Sequence, residues 1–173
     1  NAMLCIGWRY LISDKIINLL SGNVFVAHDS LLPRYRGFAP LVTAMLNEEE
    51  YTGVSFLVAS DEVDQGPIII QRKCRIDKNY FIEDLIDCIS EEYISGAVEL
   101  FKLFLVGKIK PRKQDESKAS YSIWRDESDY IIDWQDSAKK IDLLIRATGY
   151  PYRGAKTQIE SEWVRILKSK VHS

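Results

Sequence analysis

Short apolar runs, each too brief for a helix, recur along this chain between segments of helical spacing. That alternation constrains the fold more than any other feature. Met3-Leu4-Cys5-Ile6 is closed by Gly7, and Val24-Phe25-Val26-Ala27 follows Gly22 and delivers His28 at its carboxyl end. Both read as buried strands. Thr52 to Ala59 is β-branched and apolar, and Ile68 to Ile76 gives a fourth strand after an acidic loop bearing Gly66 and Pro67. Between them, Ser13 or Asp14 can cap a short helix with Ile16, Ile17, Leu19 and Leu20 on its apolar side. Pro40 suits the first turn of a second helix reaching about Asn47. From Ile82, the positions Leu85, Ile86, Ile89, Tyr93, Ala97, Leu100, Phe101 and Phe104 keep helical spacing, which predicts one long amphipathic helix. Strand and helix in alternation predict an α/β fold with a mainly parallel sheet.

The character changes after Gly107. Lys108, Lys110, Arg112 and Lys113 cluster and a polar stretch runs on to Ser120, the composition of a solvated linker. Asp136 is placed to cap a further helix carrying Ala138, Ile141, Leu144 and Ile145, ended by Pro151 and Gly154. Thr157 to Lys168 alternates like a hairpin about Glu160-Ser161-Glu162. Trp134 and Tyr150 flank the helix and are expected to pack it. The expected division is therefore an α/β domain over 3–107, a linker over 108–135, and a helix with the start of a small C-terminal unit over 136–173.

Composition narrows the function classes. The 173 residues give room for one domain, and 23 Lys plus Arg against 25 Asp plus Glu leave a net charge of −2. That balance argues against a nucleic-acid binder that uses its whole surface, though not against a local basic patch. Cys5, Cys74 and Cys88 are an odd number without a close pair, so neither a disulfide framework nor a zinc knuckle is expected. Cys74 and Cys88 read as small core residues, and reduced cytoplasm is the expected compartment. No apolar run approaches the roughly 18 residues a membrane span needs. Asn1-Ala2 before Met3 reads as a cleavage scar.

Of the two histidines, His172 is next to the carboxyl terminus, which leaves His28 as the imidazole placed for chemistry, where open α/β sheets put their ligand crevice. Asp64, in Asp61-Glu62-Val63-Asp64-Gln65-Gly66-Pro67, also follows a predicted strand and is expected at the same sheet edge. A carboxylate there can orient an imidazole for acid–base work. Read from that loop alone, a solvated acidic turn is the commoner outcome, and Asp64 is preferred to Asp61 because Gly66 and Pro67 fix its backbone. No GxGxxG occurs, which excludes a nicotinamide-dependent enzyme of that type.

The segment His28-Asp29-Ser30-Leu31-Leu32-Pro33-Arg34-Tyr35-Arg36-Gly37 resembles the HxSLLPxYRG motif of the N10-formyltetrahydrofolate-dependent formyltransferases. Gly53-Val54-Ser55 with Asp64-Gln65-Gly66-Pro67-Ile68-Ile69 is similar to that family's GVT…DxGxII segment. Ile132-Asp133-Trp134, Ile145-Arg146-Ala147 and Pro151-Tyr152-Arg153-Gly154-Ala155 resemble its IDW…IRA…PYPGA pattern. The resemblance covers nearly the whole chain and implies a sheet of formyltransferase type, with a helical linker and hairpin extension.

It also implies transfer of a formyl group from N10-formyltetrahydrofolate to a primary amine, without a metal. His28 and Asp64 would be the catalytic pair, Tyr10, Leu11 and Ile12 would contact the folate, and Val58, Ala59 and Asp61 would lie on the opposite wall. Two departures stand out. The family's catalytic asparagine, two residues before the histidine, is Val26 here, and valine cannot donate a hydrogen bond. Family members also carry about half a sheet more before Met3, so the leading half is expected to be missing. The stretch Trp124 to Tyr130 looks more like the sugar-nucleotide branch than the methionyl-tRNA branch. The expected acceptor is therefore a nucleotide-linked amino sugar, with methionyl-tRNA and a truncated non-catalytic relative as alternatives, and an uncovered sheet edge suggests a homodimer.

Overall fold

The computed structural model describes residues 1–172. Its central sheet has the order β1 (Met3–Ile6), β2 (Val24–His28), β4 (Tyr51–Val58) and β5 (Ile68–Arg75). The expected α/β architecture is present, and the sheet is mixed. β1 and β2 run parallel, whereas β4 is antiparallel to β2 and to β5. Helix α1 (Asp14–Leu19) makes the crossover from β1 to β2. Two-residue β3 (Arg36–Gly37) and α2 (Pro40–Leu46) bridge β2 to β4, and α3 (Ile82–Leu105) follows β5.

The main core lies where α2 and α3 cover the sheet. Phe25, Val54, Phe56 and Ile70 from the strands meet Leu41, Val42 and Met45 of α2, and Leu85, Ile89 and Leu100 of α3. Each such side chain contributes about 1.5–3 kcal/mol by leaving water. Gly96, in the middle of α3, is where the Phe56 ring comes closest. A Cβ built there would stand 2.1 Å from Phe56 Cε2, and Phe56 is itself fully buried. Alanine gains about 1 kcal/mol in helix propensity, but crowding a packed core costs about 1–3 kcal/mol. Gly96→Ala is expected to lower the urea midpoint, and a midpoint raised by the substitution would refute this packing.

Two features of the cysteines and linker differ from expectation. Cys74 and Cys88 are joined as a disulfide, with Cα atoms 6.7 Å apart. They are fourteen residues apart in sequence, and the turn from β5 into α3 folds them face to face, leaving Cys5 free. The odd count therefore concealed a pair, and it no longer argues for a reducing compartment. The 108–135 stretch is not a solvated tether: Arg112 exchanges backbone hydrogen bonds with Ile68, and β6 (Tyr121–Ser122) pairs parallel to β3. Lys108, Lys110 and Lys113 are exposed, while Gln114 and Ser122 are buried. Among the described residues no helix is long and apolar enough to cross a membrane.

Helix α4 (Ala138–Thr148) is capped by Ser137, whose Oγ accepts from the Lys140 N–H, rather than by Asp136. It packs against α2, and Arg146 donates to the Tyr80 carbonyl at 2.8 Å. The hairpin β7 (Ala155–Ile159) and β8 (Glu162–Ile166) follows as expected. Trp134 anchors it by donating to Thr157 Oγ1 at 2.7 Å, whereas Tyr150 is largely exposed and packs nothing tightly. Glu127 binds the hairpin electrostatically: Lys156, Arg153 and Arg165 all bond its carboxylate and hold it down to about 2. A depressed carboxylate stabilises above its ordinary value of 4.5 and loses that contribution as pH falls through about 2. Fluorescence of Trp163 on β8 is expected to report loosening of the hairpin between those values, and Glu127→Gln should abolish that step.

Candidate active site

Asp64 reaches His28 by a route the sequence did not suggest. Because β4 runs antiparallel to β2, His28 faces Ser55 across the ladder, and the end of β4 lies beside Phe25 at the start of β2. The 59–67 loop therefore leaves from the opposite sheet edge, and it must double back to bring the carboxylate to the imidazole. It does so with Asp64 in the left-handed region at φ 55°, a conformation aspartate tolerates better than most residues. The result is His28 Nδ1 at 3.5 Å from Asp64 Oδ2, both side chains largely buried.

Three consecutive residues hold the pair, two through their backbone and one through its side chain. The Tyr35 carbonyl lies 2.8 Å from His28 Nε2. A carbonyl only accepts, so Nε2 carries the hydrogen and Nδ1 is turned toward Asp64. The Gly37 N–H donates to Asp64 Oδ2 at 2.8 Å. Between them, the Arg36 side chain is fully buried and donates to Gln114 Oε1 through Nε and Nη2 at 3.2 and 2.8 Å. Gln114 in turn donates through Nε2 to the carbonyls of Asp64 and Gly66 at 2.7 and 2.8 Å, fixing the doubled-back loop. Glu116 pairs with Arg36 at 2.7 Å, and its hydrogen bond is the main reason the guanidinium holds its proton more tightly than usual. Gln114 was hidden from sequence reasoning by the lysine-rich composition around it.

Next to His28, Asp29 accepts from the Tyr93 hydroxyl at 2.6 Å. Burial, then the charges of Asp29 and Asp64, push the Tyr93 phenol up, so it stays a donor. The polar floor opens into a cavity of about 1010 Å³. Of the six residues expected to contact the folate, Tyr10, Leu11, Ile12 and Ala59 line the cavity, as does Asp64, whereas Val58 and Asp61 do not. Val58 packs against the main core and Asp61 is exposed, while Ser60, Glu62 and Val63 line the cavity instead. Val26 also lines the cavity, on the same face of β2 as His28, so the position two residues before the imidazole presents an isopropyl group. The sequence reading missed Phe38, Trp124, Arg125 and Tyr152, whose segments reach the cavity only through the β3–β6 pairing and the docking of α4.

The family described as Formyl transferase matches residues 1–100, and the one described as Formyl transferase, C-terminal domain, matches residues 125–173. The methionyl-tRNA formyltransferase of Thermodesulfovibrio yellowstonii is 30% identical over 168 residues, which are 97% of this chain and 54% of that protein. The chain thus spans about half the length of the curated relatives it matches. HypX from Aquifex aeolicus, solved with tetrahydrofolic acid, is 19% identical, with a TM-score of 0.80 over 93% of this chain and 28% of that one. WlaRD, a sugar 3N-formyl transferase solved with dTDP and 5-N-formyl-THF, is 24% identical, with a TM-score of 0.73 over 84% and 53%.

Proposed function

Because the chain belongs to the Formyl transferase family, we propose that its site moves a formyl group from N10-formyltetrahydrofolate to a primary amine. The observation that carries the reading is the His28–Asp64 pair on the floor of a cavity wide enough for a folate and an acceptor. Apolar Leu11, Ile12, Val26 and Leu57 suit the flat faces of a pterin. The neutral amine attacks the formyl carbon, the carbonyl becomes a tetrahedral oxyanion, and His28 Nδ1 takes the proton that the amine nitrogen sheds. The C–N10 bond then breaks, the same proton passes to N10, and tetrahydrofolate leaves. Asp64 supports the imidazole while it holds positive charge.

The acceptor favoured here is a nucleotide-linked amino sugar, in keeping with a net charge of −2 and the Trp124–Tyr130 stretch. The second reading is methionyl-tRNA, the acceptor named in the relatives near 30% identity.

Val26 leaves the forming oxyanion without the amide donor expected there. Restoring a donor aimed at an oxyanion is worth about two orders of magnitude in rate. Val26→Asn is therefore expected to raise the release of tetrahydrofolate in the presence of an amino-sugar nucleotide by about 10- to 100-fold. No release by either form with any amine acceptor would contradict the proposed activity.

A further inference from the structure

A second group of cavity-lining residues carries charge that the chain leaves unmatched. Arg125 lies just after β6, and its Nε is buried with no hydrogen-bond partner among the described residues. Its guanidinium makes one long contact, from Nη2 to Thr43 Oγ1 on α2 at 3.4 Å. Arg34, Arg36, Arg72 and Arg146 all have carboxylate partners. Of the other two arginines lining the cavity, Arg153 is committed to Glu127 at 2.6 Å, and Arg9 is on the segment that follows β1. A partly desolvated guanidinium without a counter-charge is unfavourable until an anion supplies one, and its fork suits two phosphoryl oxygens at once.

Two aromatic rings stand beside it. Phe38, the residue after β3, and Trp124, the residue before Arg125, meet edge to face with centroids 5.1 Å apart. Both line the cavity and keep about half of their surface in water. Exposed ring surface next to a guanidinium without a counter-charge asks for a ligand that joins a flat heterocycle to an anion.

We propose that Arg125 and the Phe38–Trp124 pair form the subsite for a nucleoside diphosphate carried by the acceptor, with the guanidinium on the diphosphate and the rings against the base. This rests on the formyl-transfer reading, since it is the acceptor's amine that must reach the donor beside His28. A guanidinium seated inside a cavity fits one diphosphate better than a polyanion, whose binding draws on extended positive surface.

The test is calorimetric titration of the full chain with dTDP and, separately, with 5-formyltetrahydrofolate, repeated for Arg125→Met and Arg125→Lys. Arg125→Met is expected to weaken dTDP by at least about tenfold and to leave the folate analogue within about twofold, which also shows that the variant is folded. Arg125→Lys should recover part of the loss, because it returns the charge without the fork. Equal dTDP affinity in all three proteins overturns the proposal. So does loss of the folate analogue instead of dTDP, which would assign Arg125 to the donor's glutamate. Binding of bulk tRNA without dTDP also overturns it. Binding of dTDP with no folate binding by the unaltered chain would keep this subsite and remove the formyl-transfer reading.

Discussion

His28→Ala is expected to lower kcat for formyl transfer by about 10²- to 10³-fold while leaving KM for the folate within about threefold. His28 is the only imidazole among the described residues that line the cavity, and its Nε2 is already committed to Tyr35. Asp64 meets the imidazole through the same oxygen that accepts the Gly37 N–H, and Asp29 is tied to the Tyr93 hydroxyl, so the proton is expected to move at Nδ1. The apolar walls proposed for the folate come from Leu11, Ile12 and Leu57, which the substitution leaves in place. A split of kcat against KM therefore separates lost chemistry from a collapsed site. A kcat within about threefold of the unaltered chain would show that His28 moves no proton in the rate-limiting step.

Arg36→Met is expected to cost about 2–4 kcal/mol of stability, read as a lowered midpoint of urea unfolding. The guanidinium is fully buried, lies 5.8 Å from the centre of the Tyr121 ring and bonds both Gln114 and Glu116. Methionine replaces much of the volume and none of the donors. Glu116 loses little, because its carboxylate is 59% exposed and water can solvate it. Gln114 Oε1 is left buried with nothing to accept from, and that is where most of the cost falls. The consequence reaches the site through the Gln114 bonds to the Asp64 and Gly66 carbonyls. Gln114→Leu should therefore lower kcat with a loss of stability at least as large, because it strands two donors of the buried Arg36 and both loop carbonyls. A cost below about 1 kcal/mol for Arg36→Met would show that the network does not hold the loop.

The strands and the long helix were legible because their apolar spacing states which face is buried, as Leu85, Ile89 and Leu100 do on α3. What spacing cannot state is direction. Val24–His28 and Tyr51–Val58 read alike whether parallel or antiparallel, and only their ladder shows that Asp64 starts from the far edge. His28 and Asp64 were found from their residue types and motif. Their supports, the Tyr35 carbonyl and the Gly37 N–H, are backbone groups that no side-chain pattern encodes. Gln114 and Arg125 sit in polar sequence that reads as linker, and they acquire meaning only when β6 pairs with β3. The Cys74–Cys88 bond was missed for a related reason: spacing along the chain says nothing about a turn that brings a strand end and a helix face together.

The central claim is that a folate binds against His28. The chain has two histidines, His28 in the cavity and His172 near the carboxyl terminus, so each reports on itself in a long-range proton–nitrogen NMR spectrum of the imidazoles. On titration with 5-formyltetrahydrofolate, the His28 Nδ1 resonance is predicted to move and saturate while the His172 signals stay in place. Two stationary imidazoles at saturating ligand, or movement of His172 alone, would contradict the claim.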